Sequence, residues 1–316
     1  MKVSIIIDNY NGKELTSNLI KSIRKSTFKD YEIIVLDNNS SDGSKDFIAK
    51  NDKGVKFVQN KTNMGYSGIN SALKYCRGKY ILFLNNDMEL DKNCISLLVN
   101  SIDNDENMAM AAPRLVNFYD KKLKSRGTWA SRAFYNGHIL GNSDKSIEIP
   151  YLGVGIIRKD FVEMFGYLFD PDYFIYAEDI DLGLRIRLNG KKVVFVPKAL
   201  MHHMHAVTTQ KTSKAFTTYL MERNLLTTFF KIMSFKNIVL FLPYVLGVRL
   251  AAIIKDLLTL SFDLAISRIK AIFFIIFRIG FIRRKRKETQ KFRKADDAYI
   301  LKVFSERYLF KPKFIV

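Results

Sequence analysis

A chain of 316 residues, 48% hydrophobic and 26% charged, carries enough apolar material for a sizeable core, which excludes global disorder. Its two cysteines, Cys76 and Cys94, exclude a disulfide framework and read as reduced thiols of a cytoplasmic setting. The net charge of +20 is unevenly placed: residues 1–200 hold 29 basic against 24 acidic residues, and residues 201–316 hold 22 against 7. The second stretch is a cationic module whose partner is expected to be anionic: a lipid surface, a phosphorylated acceptor or a nucleic acid.

Val3–Ile7 opens the chain as an apolar strand, too short for a signal peptide and stopped at once by Asp8. Leu15, Leu19, Ile20 and Ile23 then recur at helical spacing over 13–25. Strands are expected at 31–36, 56–58, 80–84 and 108–112, and helices at 44–50, 66–75 and 91–102. This alternation is the βαβ rhythm of a parallel, right-handed wound sheet. Polar clusters follow the strands: Asp8-Asn9-Tyr10-Asn11, Asp37, Asn60 to Asn70, and Asn86-Asp87. Four polar loops at the carboxyl edge of such a sheet make a nucleotide crevice. No G-x-G-x-x-G follows the first strand and no G-x-x-x-x-G-K-[ST] is present, which disfavours a dinucleotide fold and a P-loop. Asp87 ends the buried run Ile81–Leu84, where a carboxylate suits Mg²⁺ or Mn²⁺ beside phosphate oxygens or, alternatively, caps the next helix.

These motifs together resemble the GT-A glycosyltransferases of family 2, most closely the rhamnosyltransferase-like branch. The residues that carry the likeness are Val3–Ile7 with Tyr10-Asn11, Asp37 to Ser44, Asn63-Met64-Gly65-Tyr66-Ser67-Gly68 and Leu84-Asn85-Asn86-Asp87. The resemblance implies a mostly parallel, Rossmann-like α/β sheet and a nucleotide-sugar donor. It puts Tyr10 and Asp37 at the nucleoside and Asn63 and Gly65 in the loop around it; Asn11, Asn70 and Asn86 complete that site. Asp87 matches the last acid of the family's D-x-D metal motif. Two departures are plain: Asn85 stands where the motif's first acid is expected, and Asp8 where the family usually has Pro.

Residues 115–148 are less regular and contain the only tryptophan, Trp129, among aromatics that either stack on sugar faces or pack locally. An apolar strand with two glycines resumes over 150–157. In Glu178-Asp179-Ile180-Asp181, three acids crowd the first turn of a helix whose Ile180, Leu184 and Leu188 share one face. By themselves they read as N-terminal helix acids paired with Arg185 and Arg187. The stretch also resembles the family's Glu-Asp-x-Asp motif, which implies Asp179 as catalytic base, Glu178 as an acceptor-side group and Asp181 as structural. After a strand at 192–196 come His202, His203 and His205, either incidental in a surface loop or able to bind a cation or diphosphate. The family's spacing after Pro197 implies His203 as a metal contact.

The expected domains are 1–210, catalytic, divided into a nucleotide-sugar half (1–114) and an acceptor half (115–210), and 211–316, a helical membrane-associating module. From Ile238 to Ile282 the chain is strongly apolar but interrupted by charges, so no clean spanning segment is expected. Arg249, Asp256, Asp263 and Lys270 recur every seven residues as one polar stripe, which suits a helix lying in a membrane interface; a helical hairpin packed on the catalytic domain is the alternative. The basic run Arg283–Lys287 suits anionic headgroups. The expected protein is an inverting glycosyltransferase using Mg²⁺ or Mn²⁺, at the cytoplasmic membrane face, with a lipid-linked or glycan acceptor. A processive polysaccharide synthase, a catalytically dead scaffold and a basic nucleic-acid binder are the alternatives. Processive synthases have several clean spanning helices and typically a Gln-x-x-Arg-Trp motif, neither of which this sequence offers, and nucleic acid is disfavoured because the basic run adjoins apolar bulk.

Overall fold

The computed structural model describes residues 1–125, 127–139, 144–204 and 213–305. Strands β1 (Val3–Asn9), β2 (Tyr31–Asp37), β3 (Lys56–Gln59) and β4 (Tyr80–Asn85) alternate with helices α1 (Lys13–Arg24) and α2 (Ser44–Asn51) and a 3₁₀ helix, Gly65–Tyr75. A short β5 (Met88–Leu90), α3 (Cys94–Asp103) and β6 (Met108–Asn117) follow. Four short strands, β7 (Leu123–Ser125), β8 (Thr128–Ser131), β9 (Asn136–His138) and β10 (Ile147–Ile149), lead to β11 (Gly155–Arg158) and α4 (Lys159–Phe165). Helix α5 (Glu178–Leu188) and the long β12 (Lys192–His203) end the sheet-forming part. The remainder is α6 (Lys214–Ile232), α7 (Phe235–Leu258), α8 (Phe262–Phe277), α9 (Ile279–Gln290), α10 (Asp297–Leu301) and β13 (Phe304–Ser305).

The main sheet has the order β10-β12-β6-β11-β4-β1-β2-β3. Strands β4, β1, β2 and β3 are parallel, so the residues after each emerge at one edge. The expected parallel rhythm breaks at β11, which runs antiparallel to both β4 and β6, so the sheet is mixed. The cause is topological: Gly155 pairs with Phe83, so the chain re-enters from the carboxyl edge and must run backwards. Strand β12 likewise corrects the expected end at Val196. A register shift between Val196 and Leu200 carries the ladder past Pro197, which has no N–H to donate, and pairing resumes to His203. Asn86-Asp87 leads into β5, not into a helix, which removes the capping reading of Asp87.

One apolar cluster fills the sheet and α1 to α4, with Ile5, Leu19, Ile34, Leu82 and Leu98 fully inside. A second joins Ile180, Leu184 and Leu188 of α5 to Leu225 and Phe229 of α6, Val245 of α7, Ile275 of α8 and Ile282 of α9. The C-terminal helices therefore build much of the core that seats α5, and apolar packing crosses the boundary expected near residue 210.

Helices α7 and α8 are amphipathic in reverse. Arg249 is buried, pairing with Glu222 at 3.0 Å and donating to Ala133 O at 2.9 Å. Arg268 bridges Glu222 and Asp256. Outward point Leu240, Leu250, Ile254 and Leu258 of α7 and Phe262, Ile266, Phe273 and Phe277 of α8, all exposed. The expected single stripe is corrected accordingly: Arg249 and Asp256 lie inside on α7, whereas Asp263 and Lys270 lie on α8 beyond the turn at 259–261. Helix α7, with 24 residues, is long and apolar enough to cross a membrane by length and composition, which the interrupted sequence had not suggested. The basic run also divides, because Lys285 is buried while Arg283, Arg284 and Lys287 face outward.

Candidate active site

The parallel edge gathers the polar loops. Asn9 at the end of β1 donates to Asp37 Oδ1 at 2.7 Å and to Ser44 Oγ at 3.0 Å, and its Oδ1 accepts from Thr16 and Asn86. Asp37 is buried and also accepts from the Ser40 backbone N–H at 2.9 Å. Asn11, in a left-handed conformation with φ 51°, accepts from Ser41 N at 2.8 Å. Asn38 links the loops, donating to Asp8 Oδ1 at 2.8 Å and Gly65 O at 3.1 Å. Tyr10 is exposed at the rim, and Asn63 accepts from Gly65 N at 2.8 Å to turn the chain. The nucleoside side of the crevice is thus ordered by amides before any ligand arrives.

Gly65 stands at φ +58°, and a Cβ there would lie 2.0 Å from Phe174 O. That carbonyl accepts from Tyr66 N at 2.9 Å, so the glycine permits the loop to close on the segment that carries the acids. Gly65→Ala is expected to lower the melting temperature and weaken nucleotide affinity together; a variant with unchanged nucleotide affinity would separate the loop from the crevice. Asn70 serves the same junction, donating to Phe169 O at 2.7 Å and accepting from Leu168 N at 2.9 Å. Its amide ties backbone together at this junction.

Asp87 is 8% exposed, and its Oδ1 lies 3.1 Å from His203 Nε2. The pair exists because His203 opposes Met88 in the β12–β5 ladder. Strand alternation turns the neighbouring His202 to the other face, where it packs edge-on against Phe118. His205 lies outside the described residues. Among the described residues, no group of three or more His, Cys, Asp and Glu forms a metal cage. One carboxylate and one imidazole fit Mg²⁺ or Mn²⁺ that completes its shell with phosphate oxygens and water, and they do not fit a structural zinc.

The acids of α5 enter the same edge on a strained turn. Tyr176 and Ala177 both have positive φ, 70° and 63°, uncommon for residues with a Cβ. Asn224 of α6 holds this turn by donating to Ile175 O and to Tyr176 O, the latter at 2.7 Å. Asp179 is half-buried, and a Cβ on Gly153 would come 3.5 Å from its Oδ2. Burial pushes its carboxyl up to about 6, against a hydrogen bond from the Ile180 N–H. Burial, and then the neighbouring Asp179 charge, pushes the Glu178 carboxyl well above the ordinary carboxylate range. Its Oε2 has no hydrogen-bond partner among the described residues. Asp181 points the other way, fully buried between Arg185 Nε and Lys231 Nζ, each 2.7 Å distant. Trp129 packs over Gly137 of the β8–β9 hairpin and against the main core, so the structure gives it a packing role.

Two residues not chosen as site residues from sequence belong here. Burial and then the Asp37 charge raise Asp8 to about 7. The Tyr66 hydroxyl is driven well up by burial and then by Glu178, Asp8 and Asp87, with Asn85 hydrogen-bonding to it. Tyr66 therefore sits amid the acids of both halves. The signal for Asp8 was its departure from the family's Pro; Tyr66 lies within the Asn63–Gly68 stretch that carries the likeness, but nothing local marked its own side chain.

Over 103 residues the chain is 37% identical to the GalNAc(5)-diNAcBac-PP-undecaprenol beta-1,3-glucosyltransferase of Campylobacter jejuni, a stretch covering 31% of this chain and 33% of that protein. The chain thus spans about a third of that relative's length. The fold matches Staphylococcus aureus TarS 1-349, solved in complex with UDP, over 97% of this chain and 93% of that one, with TM-score 0.56 and 19% identity. It matches GalNAc-T7, solved with UDP, GalNAc and Mn²⁺, over 72% of this chain and 47% of that one, with TM-score 0.60 and 18% identity. At these identities the two structures establish a GT-A-like fold and nothing beyond it. Residues 4–163, just over half of the chain, match the model of glycosyl transferase family 2, and the chain belongs to that family.

Proposed function

We propose that the protein is an inverting hexosyltransferase that moves a sugar from a nucleotide donor to a hydroxyl of a lipid-linked saccharide, in cell-surface glycan synthesis at the cytoplasmic membrane face. The observation that carries this reading is the meeting, at one sheet edge, of an amide-ordered crevice, the Asp87–His203 pair and the raised carboxyl of Asp179. A base poised near neutrality is what deprotonation of an alcohol requires. The acceptor hydroxyl gives its proton to Asp179 while its oxygen bonds to C1. The bond from C1 to the diphosphate oxygen breaks on the opposite face, and the nucleoside diphosphate leaves with the electron pair, inverting the anomeric carbon. Glu178, whose raised carboxyl favours the protonated form, is the group that would donate a hydrogen bond to the acceptor. Mg²⁺ or Mn²⁺ held by Asp87 and His203 would neutralise charge on the departing diphosphate.

The motifs that resemble the rhamnosyltransferase-like branch place dTDP-rhamnose in the donor panel beside UDP-glucose and UDP-N-acetylglucosamine. Nucleotide release by the purified chain in detergent is the test. One donor is expected to be hydrolysed slowly, and Asp87→Ala or EDTA is expected to lower that rate by about two orders of magnitude. Undiminished release after both treatments would remove the metal assignment, and failure to bind any nucleoside diphosphate would remove the transferase reading.

The outward apolar rows of α7 and α8 support peripheral, monotopic membrane binding. A spanning α7 would have to pull Arg249 from Ala133 O and Glu222, leaving the buried Glu222 with Arg268 as its remaining ion-pair partner. Lying flat, the same helix keeps those partners and buries its exposed leucines in lipid. Flotation with anionic liposomes is expected, and Leu250→Glu with Phe273→Glu is expected to abolish it; continued flotation of that variant would refute this face as the contact.

A further inference from the structure

A cleft of about 320 Å³ opens between α6, α8, α9 and the loop before α5. Asp172, Arg223, Phe274, Arg278, Phe281 and Arg284 line it. Three guanidiniums thus face one carboxylate, and that carboxylate is already paired with the Lys285 ammonium. Arg223 is fixed in place. Its Nε donates to Asn224 Oδ1 at 2.9 Å and its Nη2 to Asp172 O at 3.1 Å, with the Phe274 ring 5.5 Å away. Arg284 lies 5.6 Å from the Phe281 ring, and both Arg278 and Arg284 reach solvent. The cleft has the charge and the forked donors that bind phosphate oxygens in pairs.

Its surroundings narrow the ligand. On one side, Phe273, Ile276 and Phe277 stand exposed, and the rings of Phe273 and Phe277 stack at 5.6 Å. These residues continue the outward apolar rows of α8. On the other side, the wall is the loop that ends in Glu178 and Asp179. Tyr173 from this wall donates to Asn224 O at 3.1 Å, and the Asn224 amide holds the loop's last carbonyls. Arg223 and Asn224 are therefore adjacent residues with divided tasks, one facing the cleft and one holding the turn that carries the base. A ligand spanning this place has an apolar tail, an anionic middle and a sugar end.

We propose that the cleft binds the diphosphate of the lipid that carries the acceptor saccharide, with the lipid chain along the Phe273–Phe277 face and the sugar directed to Asp179. This rests on the transferase reading above, and it assigns the acceptor a second anchor apart from the nucleotide crevice. The probe is farnesyl diphosphate, titrated by calorimetry into the full chain in neutral detergent with UDP saturating, so that the crevice cannot take up the diphosphate. Saturable binding is expected, weakened about tenfold or more by Arg278→Ala with Arg284→Ala. Farnesol and inorganic pyrophosphate are each expected to bind far more weakly than the joined molecule. Should the alanine pair fail to fold, Arg278→Lys with Arg284→Lys keeps the charge, loses the fork and is expected to show a smaller, measurable loss.

Unchanged affinity in both variants would overturn the proposal. So would pyrophosphate binding as tightly as farnesyl diphosphate, which would mark a site for free anions. Displacement of farnesyl diphosphate by equimolar phosphatidylglycerol would overturn it too, marking a headgroup contact. A UDP titration of the same preparation reports on the crevice separately. Lost UDP binding with intact farnesyl diphosphate binding would count against the transferase reading alone.

Discussion

Asp179→Asn is expected to lower sugar transfer by about 10²–10⁴-fold while raising the melting temperature at neutral pH. The two effects have one cause. Burial lifts the Asp179 carboxyl from 3.8 to about 6, so its ionised form costs the folded state free energy that the unfolded chain does not spend. That cost is absent below pH 4, grows between the two values and is complete above pH 6. The amide removes it, so the stability gain should vanish when melting is repeated at pH 4. Asp179 is partly exposed, so solvent screening leaves a gain on the order of 1 kcal/mol. In the native protein the transfer rate should rise with pH through about 6, as the base ionises. The neighbouring Glu178 carboxyl is raised as well, by burial and then by the Asp179 charge. A variant with full turnover would remove the base assignment. A variant that lost turnover without gaining stability at pH 7 would show that the carboxylate is not penalised in the fold.

What the sequence made legible depended on how local the determinant was. The strands at 3–9, 31–37, 56–59 and 80–85 were readable because each is a short apolar block closed by a polar cluster, and the parallel edge follows from that repetition. The Asp37, Asn63 and Gly65 loops were readable for the same reason. The direction of β11 was not, because a four-residue strand carries no mark of which edge the chain enters from. The reach of β12 was hidden by Pro197, which reads as a stop until the partner strand supplies a register shift. Asn70 and Trp129 are amide and indole side chains that suit both ligands and packing, and their contacts with Phe169 O and Gly137 depend on segments far away in the chain. Tyr66 was visible as part of the Asn63–Gly68 stretch, but its place among the acids was not, because Asp8, Asp87 and Glu178 come from separate segments. The seven-residue stripe beyond residue 249 was a true periodicity given the wrong orientation. Composition reports that a helix has two faces, and only tertiary structure tells which one turns inward.

Lys231→Met should be among the most destabilising single changes in this chain, costing about 3–5 kcal/mol. Lys231 is fully buried, with Asp170 Oδ2 at 2.5 Å and Asp181 Oδ1 at 2.7 Å. Lys285 from α9 holds the other oxygen of Asp170 at 2.6 Å, and Arg185 holds the other oxygen of Asp181. Two acids from the catalytic half are thus balanced by two lysines from the C-terminal helices. Burial opposes ionisation of Asp170, but the ammonium groups of Lys231 and Lys285 outweigh it and hold the carboxyl well below its ordinary range. Because that value is depressed, the stabilisation is present above the ordinary carboxylate range and is lost as pH falls through the folded value. The methionine leaves both acids short of a partner at neutral pH, and protonating Asp170 relieves part of the penalty. The gap between native and variant should therefore be widest near pH 7 and close as pH drops below 4. Asp170→Asn added to Lys231→Met should recover part of the loss, since it removes one stranded charge. An isolated 1–210 fragment, lacking both lysines and half of the second core, should fail to fold cooperatively. A Lys231→Met protein that melted with the native chain at pH 7 would show that the C-terminal helices are an appendage. The expected loss would instead show that α6 and α9, which pack against the helices carrying the apolar outer face, secure the acids beside the turn that holds Asp179.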